Sequence, residues 1–224
     1  MHLRDLCLLL TFAASLAVST PASHGQAAAP AAPTRDDIVN TLSKFDAGPD
    51  LDIAALKQTI LERSRSRSRK EPPPSKRPLV VPDILDLPTV NLAIQFDVDT
   101  PIILPESYET VGRLADALVN APLLPYTFLI VGHTDSTGKR EANVILSQRR
   151  ADAVRDVLIN TFKISAKRLQ SLGLGEEQFI DQAHPTSPVN LQIQILTTGK
   201  VPDEPAAAPA AATAPAKKSA KRKK

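Results

Sequence analysis

The chain has 224 residues, a formal net charge of +3, 42% hydrophobic but only 4% aromatic residues, and 20 prolines. That length allows one to two domains, and so many prolines leave a globular part of modest size. A single cysteine, Cys7, excludes a disulfide framework, and 8 glycines without phosphate-loop spacing give no support to nucleotide binding.

The N-terminus has one early arginine, an apolar run from Leu6 to Val18 and a small-residue exit. This is the layout of a secretory signal peptide over residues 1–27, cleaved near Gly25 to Ala28. The apolar run is short for a membrane span. Cys7 falls before or within it, so lipid attachment there is not expected. An Ala/Pro spacer follows, which has no means of forming a core.

Thr34 then suits an N-cap, with Asp36 and Asp37 in the first turn and Ile38, Val39, Leu42 and Phe45 on one side. Gly48 and Pro49 break this helix, and Ile53, Leu56, Ile60 and Leu61 predict a second. The plainer reading of the pair is a weak helical hairpin in a linker. Arg63 to Lys70 reads RSRSRSRK, a run of like charges that is expected to stay solvated as a spacer. Behind a signal peptide, its available partners are anionic envelope lipids rather than nucleic acid. The tail from Val201 to Lys224 is read in the same way.

The ordered part starts near Thr89. Val90, Leu92, Ile94 and Phe96 alternate with polar or small residues, the period of a half-buried strand. A helix is predicted over Ser107 to Asn120, a buried strand over Phe128 to Val131 and a second helix from about Ala142 to Phe162. A short strand over Leu169 to Leu174 and a last one carrying Val189, Leu191, Ile193 and Ile195 complete the order. The pattern is α/β, an α+β sandwich with two main helices on one face of a small mixed sheet, flanked by disordered segments.

The chain is organised around Phe128 to Arg155. Leu146, Ala153, Val154, Val157 and Leu158 recur at helical spacing, and Arg150 falls on the same face. A guanidinium in an apolar stripe is costly unless paired. Taken alone, it is read as snorkelling to the surface or pairing structurally with Asp135. Asn143 and Ser147 lie beside it, on a ridge that points back toward His133, Thr134 and Asp135.

The run GHTDSTGKREANVILSQRRA resembles the signature of the OmpA-like domain, met here by Gly132, His133, Thr134, Asp135, Gly138, Asn143, Leu146, Ser147, Arg150 and Ala151. The resemblance spans about Val90 to Leu196 and includes GLGE at Gly173 to Glu176. It implies non-covalent binding of peptidoglycan through the diaminopimelate of the stem peptide. Asp135 would meet the ammonium and Arg150 the carboxylate, with Thr134, Asn143, Leu146 and Gly132 shaping the pocket. Where the family usually reads Asn-Arg-Arg-Val, this chain has Asn190, Leu191, Gln192 and Ile193. The lost charges point to weaker binding or to a scaffold role. In that rival reading the basic segments, or the helices at residues 35 to 62, do the anchoring.

The organisation expected is therefore a signal peptide over 1–27; spacer, short helices and basic linker over 28–88; an OmpA-like domain over 89–199; and a disordered Ala/Pro/Lys tail over 200–224. The protein is expected in the periplasm or at the outer-membrane periphery. Its partners are peptidoglycan, anionic lipids and a second copy of the chain, with no nucleic acid, cofactor or metal. His133, Asp135 and Ser136 are chain neighbours on a strand end and cannot converge as a nucleophilic relay, so no catalytic residue is assigned. His133 is read as structural.

Overall fold

The computed structural model describes residues 32–66 and 72–201. The signal peptide reading, residues 67–70 of the arginine-serine run and the tail from 202 lie outside the described residues.

Phe128 to Val131 offers four consecutive apolar side chains, and a strand with both faces apolar is stable only when covered on both sides. It becomes part of β2 (Tyr126–His133), which lies between β3 (Leu169–Gly175) and β4 (Ile193–Lys200), with β1 (Thr89–Leu92) at the far edge. β4 runs antiparallel to β1 and β2, and β3 runs parallel to β2. A parallel pair needs a crossover, supplied here by a 21-residue helix, α4 (Arg140–Asn160).

On one face, Phe128 and Ile130 join a core with Leu114 and Leu118 of α3 (Tyr108–Leu118) and Val154 and Leu158 of α4. On the other, Leu129 and Val131 join Leu172 and Leu174. The segment before the sheet closes that second face. Phe45, Val81, Ile84 and Leu87 pack there together with Ile53 and Ile60 of α2 (Ile53–Arg65). Ile38, Val39 and Leu42 of α1 (Arg35–Leu42) enter the first core instead.

The two early helices are thus walls of the packed body, not a loose hairpin. α1 is held at its start by a reciprocal bond pair between Thr34 and Asp37. It is held at its end by the buried Thr197 hydroxyl, which donates to Leu42 O at 2.7 Å.

Two strand boundaries differ from the pattern. β1 stops at Leu92, and the chain doubles back so that Phe96 pairs with Ile103 across a tight turn. The last strand begins at Ile193 rather than Val189, because Pro188 opens a short helical turn that Ser187 caps through Val189 N. Val189 and Leu191 are consequently exposed.

Candidate functional site

The site is built where β2 hands over to α4. Thr134 N is fixed to Gly175 O at 3.0 Å. Asp135 Oδ1 accepts from Thr137 N at 3.0 Å and Thr137 Oγ1 at 2.6 Å, a turn that Asp is suited to make. Asn143, buried on the first turn of α4, donates to Thr137 O at 2.8 Å and to Glu176 at 2.8 Å, clamping the loop against the end of β3. Asp135 Oδ2 has no partner among the described residues.

The buried face of α4 carries Asn143, Ser147, Arg150, Ala151, Val154 and Leu158, with Leu146 at its margin. Arg150 is buried but does not pair with Asp135. Its Nε donates to Thr100 O at 3.1 Å, Nη2 reaches Asp97 O at 3.5 Å, and the guanidinium lies 5.0 Å from the Phe96 ring centre. Burial pulls its pKa below the ordinary arginine range, while the charges of Asp99 and Asp135 pull it back. It forms no ion pair among the described residues.

Arg168 supplies the contrast. That arginine is also buried, but it fills its fork with Leu118, Leu123 and Tyr126 carbonyls and borders none of the clefts described. Arg150 instead opens on a groove of about 690 Å³. Thr134, Asp135, Asn143 and Leu146 line it, and the buried Thr134 hydroxyl has no hydrogen-bond partner among the described residues.

Gly132 does not line the groove. A Cβ on it would stand 2.3 Å from Ser147 O, so its part is to let α4 lie against the sheet. The sequence reading missed Phe96 and Asp99, which do line the groove. Asp99 holds a φ of 54°, and the Asp97-Val98-Asp99-Thr100-Pro101 run carries the turn residues from which this loop could have been read.

Residues 95–190 match the model of the OmpA family. This stretch is an OmpA domain. Over 97 residues the chain is 37% identical to outer membrane porin F of Pseudomonas aeruginosa, covering 43% of this chain and 27% of the porin. Over 92 residues it is 36% identical to the peptidoglycan-associated lipoprotein of Brucella melitensis, covering 40% of this chain and 53% of the lipoprotein. The chain thus spans about a quarter to about half of the length of these relatives. Among solved structures, the cell wall anchor of the T6SS from Pseudomonas aeruginosa matches with a TM-score of 0.41 and 21% identity, covering 66% of this chain and 96% of that one.

Within the OmpA domain, His133 is buried, with Nδ1 at 2.8 Å from Gln178 O and Nε2 at 2.9 Å from Gln194 Oε1. Burial holds its pKa below the ordinary 6.5, against the pull of these two bonds. The unfolded chain therefore binds a proton that the folded domain refuses. Stability should be complete above that pH and decline below it. Asp37 and Asp181, held below the ordinary 3.8, act only at lower pH. Urea unfolding should show a lower midpoint at about pH 5.5 than at about pH 7.5, and His133→Gln should flatten the difference.

The helices and arginines before residue 95 lie outside the family match, yet they are bonded to the OmpA domain. The buried Glu177 accepts from Arg140 through both oxygens and pairs with Arg63 of α2 at 3.1 Å. Glu176 pairs with Arg77 at 2.9 Å, and Glu141 with Arg65 at 2.7 Å. The start of the arginine-serine run is accordingly helix with partners, not a solvated spacer. The carboxylates that neutralise it come from distant parts of the chain.

Proposed function

We propose that this chain is a non-catalytic envelope protein, of the periplasm or outer-membrane periphery, that holds peptidoglycan without a covalent bond. The groove would take the ammonium-and-carboxylate end of a diaminopimelate side chain, the ammonium at Asp135 and the carboxylate at Arg150.

The observation that carries this reading is the state of Arg150. A buried guanidinium is normally neutralised by a direct carboxylate contact. Here it is held in place by two carbonyls and an aromatic ring, with its charge directed to a groove in which Asp135 keeps one oxygen unengaged. A cation and an anion that share a groove without direct contact are the arrangement a zwitterionic group requires, and Asp99, whose charge also acts on Arg150, would lie beside the bound carboxylate. The buried, unpartnered Thr134 hydroxyl would supply a third polar contact if its side chain turned toward the groove.

One observation favours a weaker, scaffold-type role. Leu191 lines the groove and is 40% exposed, so an apolar side chain stands where the resemblance leads one to expect an arginine. The apolar faces of the early helices are packed into the two cores, which weighs against an apolar surface of theirs as the alternative anchor.

Co-sedimentation with purified sacculi separates the readings. Truncating one side of a desolvated charged contact costs about 2–5 kcal/mol, so Arg150→Ala and Asp135→Asn should each abolish retention while leaving the circular dichroism spectrum unchanged. Retention that survives both changes but vanishes at high salt would move the anchoring to the basic segments. A large gain on restoring arginine at Leu191 and Gln192 would establish that the native groove is weakened.

A further inference from the structure

The groove does not end at Gly138 and Lys139. The same two residues form part of the wall of a second cleft, of about 440 Å³, which is also lined by Arg65 at the end of α2, Arg77, Glu141 and Glu176. Both arginines precede the stretch that matches the family.

We infer that the second cleft is a subsite for an anionic group of the same wall fragment, a peptide carboxylate one or two residues from the diamino acid. The inference rests on the peptidoglycan reading of the first groove. A residue of extended chain advances at most about 3.6 Å, and the two clefts are contiguous, so such a carboxylate lies within reach.

The charges are arranged for it. Arg77 is committed to Glu176, and Arg140 to the buried Glu177. Arg65 and Glu141 pair at 2.7 Å but are 57% and 43% exposed, so water screens the pair and Arg65 can turn to an incoming anion at little cost. Lys139 is exposed and forms no ion pair among the described residues. It is also the N-cap of α4 and gives that helix no side-chain cap, which leaves first-turn N–H groups beside the cleft. The cleft thus offers an uncompensated lysine, an exchangeable arginine and a helix start in one place.

The test is calorimetric titration of the purified chain with two probes: free meso-diaminopimelate, and a tripeptide bearing it after an acidic residue. The chain should bind the tripeptide roughly tenfold more tightly than the free diamino acid, and Arg65→Glu and Lys139→Glu should each remove most of that advantage. Lys139→Glu places an acid at a helix start, which favours the fold. Equal affinity for the two probes, or an advantage retained in both variants, would overturn the subsite and leave the first groove's assignment intact. Failure of both probes to bind would overturn the two readings together.

Discussion

Glu177→Ala is expected to lower the unfolding free energy by about 3–5 kcal/mol, the cost of removing one partner from a buried ion pair. The Glu177 side chain is 0% exposed and lies between Arg140 at the start of α4 and Arg63 near the end of α2. Removing the carboxylate leaves two guanidinium groups side by side, each with restricted access to water. Glu177→Gln keeps the shape and one acceptor, so it should recover part of the loss. Denaturant unfolding followed by circular dichroism reads both. An alanine variant within about 1 kcal/mol of the parent would mean that the network does not fasten α2 to the domain.

Gly132→Ala should cost about 3 kcal/mol, at the upper end for overpacking, and should weaken wall retention as well. The added Cβ would meet Ser147 O at 2.3 Å and Ser147 C at 3.0 Å, backbone atoms in the middle of α4 that cannot rotate away. The helix would have to lift, and it carries both Asn143 and Arg150. On the proposed reading such a variant should lose stability and binding together, whereas Arg150→Ala should lose binding while keeping the packing of α4 on the sheet. Gly112→Ala is the control. Its Cβ would lie 3.9 Å from Phe162 inside α3, where alanine should stabilise by about 0.5–1 kcal/mol. Retention of full stability in Gly132→Ala would contradict the close approach.

Much of this was legible in local patterns. Four consecutive apolar residues at Phe128 to Val131 require two covered faces, and all four are fully buried. Thr34 and the acids after it mark a helix start because the capping bonds span only three residues. Arg150 was conspicuous because its burial follows from helical spacing alone. The HTD corner and the helix after it bring Thr134, Asp135, Asn143, Leu146 and Arg150 to one groove, since strand end and helix start are joined by a short loop.

Other features depended on which distant segments meet, and spacing along the chain carries no measure of that. The sequence could not show that Arg150 stands apart from Asp135, because the carbonyls that hold it arrive from the loop at Asp97 to Thr100, some fifty residues earlier. Nor could it show that Arg63, Arg65 and Arg77 belong to the body. Their carboxylate partners lie between 76 and 114 residues away, and like charges in a row look solvated until those partners are placed beside them. Gly132 belongs to the GHTD run by sequence, but its close contact is with the backbone of α4. The sequence by itself thus determined the elements and the face of α4 on which Arg150 stands. Tertiary structure decided what covers the second face of the sheet and which charges remain available to a ligand, because both depend on contacts between residues far apart in the chain.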